Sequence, residues 1–135
     1  MALFEWTDKF SVGVRQLDKQ HQKLFFLING MYESMSKGEG KKAVERVIEN
    51  LLEYTQTHFA EEEGLMEKHG YPEYPSHRQE HLELIARVMQ FQKDFLDGNA
   101  FLSVQILNFL RDWLSNHIMK TDMKYSAFFK GKGVV

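Results

Sequence analysis

Apolar residues in this chain recur at intervals of three and four through four long stretches, which commits each stretch to an α-helix with one buried stripe. The first stripe is His21, Leu24, Phe25, Ile28, Tyr32 and Met35, and the second is Val44, Val47, Ile48, Leu51, Thr55, His58 and Glu62. His77, His81, Leu84, Ile85, Val88 and Phe95 form the third, and Ile106, Leu110, Trp113, Leu114 and His117 the fourth. Breaks fall at Gly38 to Gly40, at Gly70 to Pro75, where both prolines lie, and at Gly98-Asn99. Ser76 followed by Gln79 reads as a capping box that opens the third helix. No segment alternates apolar and polar residues as a strand would. The expected fold is all-α, an up-down-up-down antiparallel four-helix bundle with helices at about 18–37, 41–68, 76–97 and 100–120. Each helix is roughly 30 Å long. An extended N-terminal arm, residues 1–17, carries Phe4, Trp6 and Phe10, and the single domain occupies residues 1–135.

Composition narrows the function classes. The net charge is −2, without the basic footprint of a nucleic-acid binder. No stretch is apolar for long enough to span a membrane, and the first residues lack the pattern of a secretory signal. Cysteine is absent, so disulfides, thiolate metal sites and cysteine nucleophiles are excluded. A cytoplasmic location is expected. Histidine remains as the soft ligand, at His21, His58, His69, His77, His81 and His117.

A single histidine on an apolar stripe is ordinarily a hydrogen-bonded core side chain. Height along the bundle changes that reading. His21 lies 18 residues before position 39 and His58 lies 19 after it; His81 lies 17 before position 98 and His117 lies 19 after it. At 1.5 Å per residue all four stand about 26–29 Å from their turns. Up-down connectivity therefore brings one histidine from each helix to a common layer. His77 and Glu62 join it, four positions from His81 and His58 respectively. Unpartnered buried polar groups cost roughly 1–3 kcal/mol each, and a cation relieves that cost. Nitrogen and oxygen donors without sulfur suit iron, zinc, copper or nickel better than calcium. Five imidazoles exceed the needs of one tetrahedral zinc, and two metals bridged by carboxylates account for the number. Asp122 is the candidate second bridge. It follows His117 by five residues, about 140° round an ideal helix, so the helix is expected to loosen or end near Lys120-Thr121.

The assembled pattern of His21, His58-Phe-Ala-Glu-Glu62, His77-Arg-Gln-Glu-His81 and His117-Ile-Met-Lys-Thr-Asp122 resembles the hemerythrins. Trp6, Gly13 and Asp18-Lys-Gln-His21 are similar to the family's bacterial branch. The resemblance covers essentially the whole chain. It implies two iron ions (Fe2+/Fe3+) joined by an oxo or hydroxo bridge. One ion would be held by His77, His81 and His117, the other by His21 and His58 with one place open, and Glu62 and Asp122 would bridge them. It further implies reversible dioxygen binding rather than enzymatic turnover, for transport, storage or delivery, with an oxygen-consuming enzyme as a candidate recipient. His69 has no counterpart among the ligands and is expected at the surface. A monomer is expected, because no long apolar stripe remains once the bundle closes.

An apolar wall should keep water from bound oxygen. Trp113 and Leu114 precede His117 by four and three residues, and Leu24 and Phe25 mirror them after His21, so these four are the expected oxygen pocket. Two other readings compete. A di-iron oxidase or oxygen sensor could use the same bundle. His77-Arg78-Gln79-Glu80-His81 also spells the H-x-x-E-H zinc-hydrolase signature, with Glu80 as general base, although such an enzyme has no use for His21, His58 and His117 at the same level.

Overall fold

The computed structural model describes residues 4–38, 41–97 and 102–135. Glu39, Gly40 and Gly98, at the centres of two expected turns, lie outside the described residues, as do residues 99–101. The elements are α1 (Arg15–Ser36), α2 (Lys41–His69), α3 (Tyr74–Leu96), α4 (Leu102–Asn116), a π-helical turn (His117–Asp122) and α5 (Met123–Gly131). Asn116 and Met123 keep right-handed helical dihedrals on either side of the π turn, so α4, the turn and α5 make one continuous rod. Four rods result. Each of α1 and α3 packs on both α2 and α4, the ring of neighbours that an up-down-up-down bundle requires. No strand occurs among the described residues.

The buried stripes fill the interior with Leu17, Ile28, Met31, Ile48, Met66 and Ile106, all essentially inaccessible to solvent. α2 and α3 meet at Gly70 (φ +70°), a conformation that glycine adopts without steric cost. The third helix opens two residues before the expected capping box. Pro75 falls in its first turn, where a fixed φ and a missing N–H do no harm. Ser76 Oγ instead donates to the Glu73 carbonyl at 3.0 Å.

The N-terminal arm is strapped to the bundle. Phe4 stacks on Phe25 (3.7 Å between ring centroids), with Phe10 and Trp6 packed on the same ring. Asn29 accepts from the Phe4 N–H (2.8 Å) and donates to its carbonyl (2.7 Å). Asp18 accepts from Ser11 Oγ (2.6 Å) and from the Val12 N–H (2.8 Å). Gly13 turns the chain at φ +77°, and Ser126 Oγ reaches across from α5 to the Val12 carbonyl at 2.7 Å.

Candidate metal centre

Five imidazoles from four rods meet at one level, buried with two carboxylates. His21, His58, His77, His81, His117, Glu62 and Asp122 are each 4% exposed or less. Glu62 Oε1 lies 2.9 Å from His77 Nε2 and 3.1 Å from His81 Nε2, while Oε2 lies 3.4 Å from His21 Nε2 and 3.3 Å from His58 Nε2. One carboxylate thus faces both halves of the cluster. Asp122 does the same: Oδ1 lies 3.0 Å from His77 Nε2 and 3.1 Å from His117 Nε2, and Oδ2 lies 3.2 Å from His21 Nε2.

The π turn is what brings Asp122 inward. Hydrogen bonds from i to i+5 admit one extra residue into the turn. His117 and Asp122, five apart in sequence, consequently stand as an i, i+4 pair stands on an α-helix. The helix neither ends nor unwinds; it widens for six residues and resumes as α5.

The outer nitrogens determine what the inner ones present. His58 Nδ1 lies 2.6 Å from Gln20 Oε1, His81 Nδ1 lies 2.9 Å from Glu63 Oε2, and His117 Nδ1 lies 3.4 Å from Glu80 Oε1. All three partners are acceptors, so the ring proton belongs on Nδ1 and the Nε2 lone pair points into the centre. Two of these lone pairs confront each other, His117 Nε2 and His81 Nε2 at 3.1 Å, and His77 Nε2 lies 3.2 Å from His117 Nε2. Both Asp122 oxygens and His21 Nε2 make no hydrogen bond among the described residues. Such a donor set is repulsive without a cation. Two donors each about 2.1 Å from a shared ion, at right angles, stand about 3 Å apart, which matches the spacings observed. The residues fit a pair of metal ions.

Without metal, the cluster answers by taking up protons. Burial opposes a charged imidazole, yet the Asp122 and Glu62 carboxylates outweigh it and lift His21 and His77 to about 9. Against the same burial, Asp122, with Glu80 and Glu62, lifts His117 to about 10. Burial prevails at His58 and lowers it. Burial would raise Glu62 and Asp122, but the surrounding imidazoles hold both well below the usual carboxylate range. Tyr125, fully buried on α5, donates from its hydroxyl to Glu62 Oε2 at 2.8 Å and stacks on His77.

Beside the histidine layer, toward the middle of the bundle, lies a cavity of about 20 Å³ with an apolar wall. Leu24, Phe59, Trp113 and Leu114 line it, with Thr55 as the lone hydroxyl, already donating to the Leu51 carbonyl at 2.6 Å. Phe59 stacks on His81 (3.6 Å) and Trp113 on His117 (4.3 Å), so the wall and the ligands are in contact. Phe25 does not reach the cavity. One position along α1 from Leu24, it turns to the other side of the stripe and is covered by Phe4, Trp6 and Phe10. Leu24, Trp113 and Leu114 line this cavity, whereas Phe25, on α1, packs against the arm.

Glu80 does not enter the cluster. It is 43% exposed, accepts from Thr121 Oγ1 at 3.0 Å and lies behind His117 at Nδ1, so it does not face the centre as the general base of the zinc-hydrolase reading would. His69 is half-buried rather than exposed, against Phe129. Helical spacing does not point to Tyr125, nor to the partners Gln20, Glu63 and Glu80. The one signal for those three partners is proximity in sequence to ligands, since Gln20 precedes His21, Glu63 follows Glu62 and Glu80 precedes His81.

Comparison with known proteins agrees with this geometry. Residues 12–129 match the family described as hemerythrin HHE cation binding domain. The chain is 34% identical over 126 residues to a bacteriohemerythrin of Methylococcus capsulatus, covering 93% of this chain and 95% of that one. A bacteriohemerythrin of Clostridium acetobutylicum is 31% identical, over 91% of this chain and 98% of its own. A wild-type hemerythrin structure superposes with a TM-score of 0.87 at 33% identity, covering 93% of this chain and 97% of that one.

Proposed function

This chain belongs to the hemerythrin family and has its di-iron, oxygen-binding role, and we propose that it binds dioxygen reversibly as a carrier rather than turning it over as an enzyme. His77, His81 and His117 would hold one iron and His21 and His58 the other, and Glu62 and Asp122, each facing both sets, would serve both ions. The observation that carries this reading is the convergence of five imidazole Nε2 atoms and two carboxylates from four rods on one buried layer, with both Asp122 oxygens making no hydrogen bond among the described residues. When bound there, a pair of ferrous ions would supply the electrons for holding dioxygen.

The protein's own residues do the rest. Gln20, Glu63 and Glu80 orient three imidazoles from behind. Tyr125 fixes Glu62 and leaves its other oxygen free to face His77 and His81. Leu24, Trp113 and Leu114, with Phe59, wall a space that water enters at a loss, because a water needs two to four polar partners and Thr55 is already engaged. A dry wall keeps protons from the site and so favours release of oxygen over its reduction. Among the described residues no helix is long and apolar enough to cross a membrane. We read the chain as a single domain over residues 1–135, a cytoplasmic monomer serving oxygen transport, storage or delivery, with an oxygen-consuming enzyme as a candidate recipient.

The test is direct. Iron-loaded protein should contain two irons per chain, be nearly colourless without air, gain visible absorption on aeration, and lose it again under argon. One iron per chain, or colour that develops and never reverses, would defeat the carrier reading.

A further inference from the structure

The groups behind the histidines are not distributed evenly. On the His77–His81–His117 side, two imidazoles are backed by carboxylates: His81 by Glu63 at 2.9 Å and His117, more loosely, by Glu80 at 3.4 Å. Neither carboxylate floats. Glu63 is steadied by Arg78 Nε at 3.5 Å, and Glu80 by Thr121 Oγ1 at 3.0 Å. On the His21–His58 side, His58 faces a neutral amide, Gln20 Oε1 at 2.6 Å; one imidazole on each side, His21 and His77, makes no hydrogen bond at Nδ1 among the described residues, so the difference lies between two carboxylates and one amide. The Glu61 carboxylate accepts from the Gln20 amide nitrogen, and from Gln16 Nε2 at 3.1 Å. That contact turns the amide so that its carbonyl oxygen meets His58. A full negative charge is thereby kept one residue away from this half of the site.

An imidazole that donates Nδ1–H to a carboxylate is a stronger donor at Nε2 than one that donates to an amide. Stronger donors stabilise the higher charge on a metal. Accepting the di-iron reading above, we infer that Glu63 and Glu80 are positioning residues that make the two irons electronically unequal: the three-histidine ion is biased toward the ferric state, and the two-histidine ion, backed by Gln20, toward the ferrous. Glu63 carries the larger part. It is 19% exposed and close to its histidine, whereas Glu80 is 43% exposed and longer in its contact, so solvent screens its charge more.

The consequence is that oxidation of the pair has an order. In stepwise oxidation the ion held by His77, His81 and His117 would yield its electron the more readily, and the ion held by His21 and His58 the less readily.

The inference is tested on iron-loaded protein by two measurements independent of oxygen binding: the two one-electron reduction potentials, and the retention of each iron against a ferrous chelator. Glu63→Gln keeps an acceptor behind His81 and removes only the charge. It should retain two irons and raise the lower of the two potentials by about 59 mV for each tenfold loss of ferric preference. The other potential should move much less. Glu80→Gln should act in the same direction and less strongly. Glu63→Leu, which removes orientation as well, should weaken the hold on one iron per chain by about 10–100-fold, and Gln20→Leu should weaken the hold on the other. Equal shifts of both potentials in Glu63→Gln, or no shift with two irons retained, would overturn the inference. A parent with fewer than two irons removes its premise, a result read from the parent before any variant is made.

Discussion

Leu114 offers the sharpest separation between a pocket and ordinary core. Its side chain is 6% exposed and lines the cavity beside His117. Replacement by alanine removes three carbons, worth about 2.4 kcal/mol at about 0.8 kcal/mol per buried carbon, within the roughly 2–5 kcal/mol seen when a buried leucine is cut back. For 135 residues the unfolding entropy near the midpoint is about 280 cal/mol/K, so a loss of about 2.5 kcal/mol lowers Tm by about 9 °C. That drop says nothing about oxygen, so a control is needed. Leu107 is 4% exposed on the same helix and does not line the cavity; Leu107→Ala should lower Tm by a similar amount. The assay is the decay of the oxygenated absorption band in air at fixed temperature and pH. Leu114→Ala enlarges a space that remains apolar, whereas Leu114→Ser adds a hydroxyl that can anchor water. Oxidation should therefore accelerate in the order parent, Leu114→Ala, Leu114→Ser, with Leu107→Ala close to the parent. If Leu114→Ser decays no faster than Leu107→Ala, exclusion of water is not what protects bound oxygen, and the role given to this wall is wrong.

Two further predictions concern the metal layer. In iron-free protein, His21, His77 and His117 titrate at about 9 to 10 against about 6.5 when unfolded. Their contribution is complete below about pH 6.5 and fades as pH rises through 9 to 10; that of Glu62 and Asp122, whose values are depressed, is complete above about pH 4 and fades on acidification. Thermal melts of iron-free protein should accordingly weaken from about pH 6.5 to about pH 9.5, while iron-loaded protein should not, since metal displaces those protons; a rise in iron-free Tm over that range would contradict the assignment. Tyr125→Phe removes the hydroxyl that donates to Glu62 at 2.8 Å and leaves a buried carboxylate oxygen short of a partner. A loss of about 1–3 kcal/mol in the chemical denaturation of the iron-loaded protein is expected, and an unchanged midpoint would show that Glu62 does not depend on it.

What can be read from residue order alone is whatever depends on local steps. The rise of a helix is the same for every residue, so the heights of His21, His58, His81 and His117 follow from counting back to the turns. The i, i+4 rule brings in His77 and Glu62 by the same arithmetic. Asp122 marks the edge of that reasoning. Its identity as a ligand can be inferred from what the cluster lacks, but an ideal helix aims it elsewhere. The five-residue spacing calls for a helix that loosens or ends there, but nothing in residue type says that it widens into a π turn and resumes. Leu24 and Phe25 differ for another reason: both belong to one apolar stripe, and which of them meets the cavity depends on an arm that supplies rings to cover Phe25.

Four rods, their order and the common level of their histidines are already present in the one-dimensional pattern, because each depends on the repeat of a helix and the length of a connection. The inward turn of Asp122, the reach of Tyr125 to Glu62, and the placing of a carboxylate behind His81 but an amide behind His58 come from the folded arrangement. Those outcomes depend on the angles at which neighbouring rods pack. Packing angles follow from the combined shapes of many side chains, not from the spacing of any one set.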